Sequence, residues 1–79
     1  MDTRLTILVV EDNDDLREAI IEVLETQGHS VQGVDCAESA HETLATLGAD
    51  LLLIDLNLPG EDGLSLASRM REVQPGLGI

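Results

Sequence analysis

The stretch LLLIDLNLPGEDG, residues 51–63, places the carboxylate of Asp55 directly after four aliphatic residues. The aliphatic run predicts a short buried strand, and the Pro-Gly pair after it predicts a turn. A charge beside apolar packing is costly unless it is solvated, paired or bound to a metal. The position of Asp55 therefore indicates a site at the end of a buried strand.

The beginning of the chain repeats this arrangement. In LTILVV, residues 5–10, a continuous β-prone run ends at Glu11 and Asp12. Apolar residues then recur at helical spacing up to Gly28, which predicts an amphipathic helix with Asp14 and Asp15 in its first turn. The apolar residues with this spacing are Leu16, Ala19, Ile20, Val23 and Leu24. A strand that ends in acids is thus followed by a helix.

The rest of the chain continues the alternation of strands and helices. SVQGV, residues 30–34, predicts a second strand, and Ser39 and Glu42 predict a capping box for a second helix that ends at Gly48. After LLLI, the third strand, apolar residues on one side predict a third helix that Pro75 ends. Those residues are Leu66, Ala67, Met70 and Val73. The alternation predicts an α/β fold with a parallel sheet, and strands without polar alternation are typical of strands covered on both faces.

Size and charge exclude several classes of function. The 79 residues allow one small domain. Four basic residues, all arginine, against sixteen acidic ones give a net charge of −12, which repels phosphate backbones and anionic lipids. Without Phe, Tyr or Trp, base stacking is excluded. We therefore expect no direct binding to nucleic acid or membranes, and the single cysteine and lack of a secretion signal predict a cytoplasmic protein.

The acids that end the first and third strands are expected to form one site. Winding outward from the first strand makes these two strands neighbours, so Glu11, Asp12 and Asp55 should converge at one edge of the sheet. A hard divalent cation would relieve their repulsion, and Mg²⁺ fits oxygen ligands that no Cys or His cluster accompanies. The backbone carbonyl of Asn57 could add another oxygen. Asp55 is then suited to act as a nucleophile toward a phosphoryl group.

Two other kinds of site fit the residues less well. A dinucleotide-binding fold needs a Gly-rich turn after the first strand, whereas EDNDD, residues 11–15, would repel a pyrophosphate. A phosphatase of the haloacid-dehalogenase type has a second Asp two residues after its nucleophile. Asn57 occupies that position and cannot transfer the proton. Neither class accounts for the acids as well as a magnesium site does.

The two acidic motifs closely resemble the receiver domain of bacterial two-component response regulators. The matching segments are ILVVEDNDDLREAI, residues 7–20, and DLLLIDLNLPGEDGLSLASRMRE, residues 50–72, and the likeness runs over essentially all 79 residues. The resemblance implies a flavodoxin-like fold, in which a receiver-type parallel sheet of strand order 2-1-3 carries helices on both faces. It also implies a signalling module of a phosphorelay and not an enzyme.

The resemblance assigns roles to individual residues. Asp55 would be the phosphoacceptor, taking a phosphoryl group from a histidine kinase or phosphotransfer protein and thereby regulating an output. Glu11 and Asp12 would be the acidic pair that holds Mg²⁺, with Asp12 and Asp55 favoured as direct ligands and the Asn57 carbonyl joining them. The loop after the phosphoacceptor would be shaped by Pro59, Gly60 and Gly63.

The sequence also departs from the receiver pattern. A complete receiver has five strand-helix units, with a Lys ending the fifth strand and a switching aromatic on it, and this sequence contains no Lys and no aromatic residue. Residues 1–79 are therefore expected to be a partial receiver domain that lacks the fourth and fifth units. One edge of the third strand should then be open, which predicts that the isolated chain either self-associates through this edge or is loosely folded. The alternative hypothesis is a truncated interaction fragment that uses this edge and is not phosphorylated.

Overall fold

Three strands alternate with three helices in a computed structural model that describes residues 4–55 and 63–78. The strands are β1 (Thr6–Val10), β2 (Ser30–Val34) and β3 (Leu51–Ile54), and the helices are α1 (Asp14–Thr26), α2 (Ala37–Leu47) and α3 (Gly63–Val73). All pairings are parallel and the strand order is β2-β1-β3. The predicted fold class and strand order are confirmed.

The register aligns the carboxyl ends of the three strands. Val10 of β1 lies opposite Val34 of β2 on one side and Ile54 of β3 on the other. The ladder continues one residue further, because the Glu11 N–H donates to the Val34 carbonyl and the Asp55 N–H donates to the Val10 carbonyl, both at 3.0 Å. Glu11 and Asp55 therefore leave the sheet at the same edge.

The core lies mainly between the sheet and the helices α2 and α3. Residues 7–10 of β1 are almost completely buried, as their continuous aliphatic character predicts. The cluster on the α2 and α3 side comprises Leu8, Val10, Ala40, Leu44, Ala49, Leu52, Leu66, Met70 and Leu77. Helix α1 packs on β1 and β2 and contains no fully buried residue, with Val23 59% exposed. The two faces of the described sheet are thus unequally covered.

Two local predictions were wrong. Helix α2 begins at Ala37, before the predicted capping box, and its N-cap is Cys36, which makes no capping bond with its side chain. The Cys36 thiol donates instead to the Ser39 hydroxyl at 3.3 Å, while Ala37 packs against the core. Val73 was predicted on the buried side of α3 but is 58% exposed. After Val73 the chain turns, and Leu77 fills the end of the core in its place.

The outer edge of β3 differs from the expectation that it is open throughout. Gly78 forms a parallel bridge with Leu51. The Leu52 N–H donates to the Gly78 carbonyl at 2.7 Å, and the Gly78 N–H donates to the Asp50 carbonyl at 3.1 Å. The prediction of an open edge is therefore wrong at the amino end of β3, where a fourth stretch of backbone already pairs.

Among the described residues, none of the helices combines the length and the apolar character that a membrane span requires.

Candidate functional site

Three carboxylates meet where β1 and β3 end. One carboxylate oxygen from each of Glu11, Asp12 and Asp55 lies within 4.8 Å of the other two. Glu11 is only 8% exposed, Asp55 is half-buried and Asp12 is exposed. The structure therefore brings together the three acidic side chains named from the sequence, with one buried, one at the boundary and one facing solvent.

The backbone holds two of these acids directly. The N–H groups of Glu11 and Asp55 continue the ladder at the ends of β1 and β3, as described above. Hydrogen bonds to neighbouring strands fix both Cα positions, so the two side chains leave the sheet from rigid elements. Asp55 also borders a cavity of about 300 Å³ whose other lining includes Ile20 and Leu53. The lining of this cavity is thus mostly apolar, with Glu11 and Asp55 as its two acids.

Asn13 organises the turn between β1 and α1. Its backbone N–H donates to Glu11 Oε1 at 3.1 Å, and its side-chain Oδ1 accepts the Leu16 N–H at 2.9 Å as the N-cap of α1. Asp14 and Asp15 occupy the first turn of the helix, as predicted. Asn13 thereby stabilises the helix start and the orientation of the Glu11 carboxylate together.

Arg17 reaches back from α1 to the same turn. Its Nη1 donates to the Glu11 carbonyl at 2.9 Å, and its Nη2 pairs with Asp14 Oδ1 at 2.6 Å. Sequence reasoning singled out neither Asn13 nor Arg17. An Asn immediately before an apolar-periodic stretch is an N-cap signal that could have identified Asn13. The bond from Arg17 has no sequence signal, because it depends on where α1 packs relative to the end of β1.

Burial raises the pKa of the Glu11 carboxyl above its usual value. The hydrogen bond from Asn13 opposes this shift, and the negative charges of Asp55 and Asp12 add to it. The cluster thus contains an ionisation penalty that a cation would relieve. Its ligand atoms are all carboxylate oxygens, the donor set that a hard cation such as Mg²⁺ prefers, and within residues 4–55 and 63–78 no His or Cys joins the group. The residues present fit a magnesium ion.

The remaining predicted residues lie in or beside the loop after Asp55. Asn57, Pro59 and Gly60 are outside the described residues, so the Asn57 carbonyl stays a prediction. Gly63 is the buried first residue of α3. Its role in shaping the loop stays a prediction, because residues 56–62 lie outside the described part of the chain.

Comparisons with known proteins show which family the chain belongs to. The family model of the response regulator receiver domain matches residues 7–79. The response regulator receiver protein CpdR of Brucella abortus is 40% identical over 73 residues, covering 92% of this chain and 61% of that protein. The virulence transcriptional regulatory protein PhoP of Salmonella typhimurium is 39% identical over 75 residues, covering 95% of this chain and 34% of that protein.

The solved structures give the same result. A CheY-like response regulator receiver domain from Methylobacillus flagellatus superposes with a TM-score of 0.84 at 35% identity, covering 87% of this chain and 58% of that chain. The chain therefore spans about three fifths of the length of CpdR and of this solved domain. Because the family model matches residues 7–79 and the solved receiver domain superposes on most of the chain, the chain belongs to the response regulator receiver domain family.

Proposed function

We propose that this chain is the phosphoacceptor part of a two-component phosphorelay, in which Asp55 takes a phosphoryl group from a histidine kinase or phosphotransfer protein. The observation that carries the proposal is the convergence of Glu11, Asp12 and Asp55 at one sheet edge in a member of the receiver family. In this proposal residues 1–79 supply the first three strand-helix units of a receiver domain.

The proposed transfer uses Asp55 as the nucleophile. A carboxylate oxygen of Asp55 forms a bond to the phosphorus of a phosphohistidine, and the phosphorus–nitrogen bond of the donor breaks. The electron pair of that bond stays on the imidazole nitrogen, which takes a proton from solvent. The ladder bond from the Asp55 N–H to the Val10 carbonyl keeps the nucleophile at a fixed place on the edge.

The neighbouring acids would prepare the site for this transfer. Glu11, Asp12 and Asp55, joined by the Asn57 carbonyl, would hold Mg²⁺, which when bound offsets the negative charge of the phosphoryl group. Glu11 is kept in place by Asn13 and is buried, whereas Asp12 is exposed and accessible to an ion from solvent. The charges of this chain would otherwise repel a phosphoryl donor.

Intact-mass analysis after treatment with acetyl phosphate and Mg²⁺ tests this function. We expect one phosphoryl adduct in the unmodified chain and none in Asp55→Asn. Asp15→Asn is the matched control, since it removes an exposed acid of the first turn of α1 and should keep the adduct. The proposal would be overturned if the phosphoryl adduct persisted in Asp55→Asn. It would also be overturned if the unmodified chain formed no adduct while its dispersed amide NMR signals showed that it was folded.

A second function is favoured by the outer edge of β3. The bonds from Gly78 engage Asp50 and Leu52, and Ile54 lies beyond them on the same strand. A second copy could extend the sheet there, which is the interaction-fragment hypothesis. Sedimentation velocity over a concentration series tests it: dimers that form without Mg²⁺ or phosphoryl donor support this role, and a monodisperse monomer at every concentration contradicts it.

A further inference from the structure

Arg17 connects α1 to the peptide group that leads into Asp12. The carbonyl of Glu11, which accepts the bond from Arg17 Nη1, belongs to the peptide bond between Glu11 and Asp12. The N–H of Glu11 is held by Val34, and Glu11 Oε1 is held by Asn13. The Arg17 bond adds a constraint on the rotation of this peptide group. The direction in which the exposed Asp12 side chain leaves the backbone depends on that rotation.

The Arg17 side chain is itself held in place. Its side chain is 19% exposed, whereas its partner Asp14 is 79% exposed. The stem crosses β2 at Gly33, where a Cβ would lie 3.2 Å from Arg17 Cδ and 3.3 Å from Cγ. The backbone N–H of Arg17 also donates to the Asn13 carbonyl at 2.9 Å. The packing of the Arg17 stem against β2 therefore holds the guanidinium in place to donate two hydrogen bonds, one to the Glu11 carbonyl and one to the Asp14 carboxylate.

The positive charge of Arg17 interacts with acids outside the acidic site. The hydrogen bond that Arg17 donates to the Asp14 carboxylate is the main cause that raises the pKa of Arg17, and the charges of Asp14, Asp35 and Glu18 also raise it. Its contact with the acidic site is through the neutral Glu11 carbonyl. The two effects of removing the Arg17 guanidinium on cation binding are opposite. Loss of its positive charge would strengthen cation binding at the acidic site, whereas loss of its hydrogen bond to the Glu11 carbonyl would free the turn and weaken cation binding.

We propose that Arg17 is a positioning residue for the magnesium site: its bond to the Glu11 carbonyl sets the peptide that carries Asp12, and so the approach of Asp12 to Asp55. The inference rests on the proposed function and adds to it a residue outside the acidic set. It assigns to the one arginine of α1 a role in metal affinity that its own charge would oppose.

The test is a Mg²⁺ titration of the full chain, followed through the amide NMR signals of Asp12 and Asp55. The variants are Arg17→Met, which keeps the apolar stem, and Arg17→Lys, which keeps the charge but lacks the planar fork. Arg4→Met is the matched control. It removes the same charge from an exposed position before β1, about 20 Å from the site at ~3.3 Å per residue of strand.

We expect Arg17→Met to weaken Mg²⁺ binding by about tenfold, the lower end of the range for groups that orient metal ligands. Arg17→Lys should fall between Arg17→Met and the unmodified chain, and Arg4→Met should bind as the unmodified chain does. The inference is wrong if Arg17→Met binds Mg²⁺ as tightly as Arg4→Met or more tightly.

The remaining measurements distinguish a folding defect of the variant, failure of the proposed function and failure of the positioning role. If Arg17→Met loses its amide dispersion, Arg17→Lys is the variant that decides. Weaker Mg²⁺ binding by Arg17→Lys than by the unmodified chain, at the same denaturation midpoint, supports the positioning role. Equal Mg²⁺ affinity of the two chains overturns it. If the unmodified chain neither binds Mg²⁺ nor forms the adduct, the proposed function fails and this inference with it. If it does both and the Arg17 variants match Arg4→Met, only the positioning role fails.

Discussion

Gly33 of β2 lies directly beneath Ile21 of α1, so closely that a Cβ added at Gly33 would be 2.5 Å from Ile21 Cδ1. The contact sets how near α1 approaches the sheet, because no side chain separates the two. The same Cβ would press on the stem of Arg17. The absence of a side chain at Gly33 thus leaves room for the side chains of Ile21 and Arg17, in the middle of a strand where glycine is otherwise unfavourable.

We predict that Gly33→Val lowers the free energy of unfolding by about 1–3 kcal/mol, the usual cost of overpacking. The control is Gln32→Val, an exposed position next to it in β2, which should be neutral or slightly stabilising. Urea unfolding followed by far-UV circular dichroism measures both, since the chain has no aromatic reporter. Equal stability of the two variants would contradict the close approach of α1.

The side chain of Gln74 clamps the segment before β3. Its Oε1 accepts the Ala49 N–H at 3.3 Å and its Nε2 donates to the Ala49 carbonyl. Gln74→Ala leaves both backbone groups of a buried residue without these partners, so we expect a loss of about 1–3 kcal/mol in unfolding free energy. Gln27→Ala, exposed at the end of α1, should change little. A similar effect of both substitutions would show that the clamp contributes nothing.

The raised pKa of Glu11 predicts a pH dependence of stability. The ordinary value is 4.5 and burial raises the pKa in the folded state, so the folded chain holds the proton more tightly than the unfolded chain does. The resulting stabilisation is complete below the unfolded value and is lost as the pH rises through the folded value. Without Mg²⁺, the unmodified chain should therefore lose stability with rising pH from about 4.5 upward.

Glu11→Gln should remove this part of the pH dependence. Glu25→Gln, at an exposed position near the end of α1, is the control that changes net charge alone. Denaturant unfolding over a pH series compares the slopes of stability against pH for the three chains. If the slope of Glu11→Gln matches that of Glu25→Gln, ionisation of Glu11 is not linked to folding.

The acidic site should cost stability in the absence of a cation. Asp12→Asn removes one of three mutually repelling charges, and we expect it to stabilise the metal-free chain by about 0.2–1 kcal/mol, the scale of exposed charge pairs. Added Mg²⁺ should stabilise the unmodified chain by about 2.7 kcal/mol at a hundredfold excess over its Kd. The same Mg²⁺ should stabilise Asp12→Asn much less.

Asp15→Asn serves as the control for the Asp12 substitution, because Asp15 is exposed and outside the acidic cluster. Thermal unfolding with and without Mg²⁺ gives both quantities for each chain. Equal stabilisation of Asp12→Asn and Asp15→Asn by Mg²⁺ would place the ion elsewhere on this acidic chain.

The sheet and the acidic edge were predictable from sequence for a physical reason. Strands that are buried on both faces have uninterrupted aliphatic sequences. An acidic residue at the end of such a sequence marks the place where the strand leaves the core. Two aliphatic runs were sufficient to place both acids on one edge: the buried run that ends at Glu11 and the run, half-buried except at Leu52, that ends at Asp55. Parallel strands joined by helices bring their carboxyl ends together.

The features that could not be predicted depend on how elements meet. The start of α2 is set by Ala37 packing on the core, which outweighed the local capping pattern at Ser39. Leu77 replaces Val73 in the core because the chain turns between them, and periodicity within a helix carries no information about residues beyond the helix end. The bond from Arg17 to Glu11 joins a helix to a strand end, and no spacing of residue types specifies it.

The order β2-β1-β3 also has a kinetic consequence. Asp12 and Asp55 are 43 positions apart in the sequence, and they meet only when β3 docks beside β1 after the whole of α1, β2 and α2. Closing so long a loop costs entropy that is recovered only once the pairing forms, so the acidic edge is among the last parts of the structure to assemble. A cation bound there stabilises the finished structure and not the barrier to reaching it, so magnesium should slow unfolding and leave the folding rate nearly unchanged.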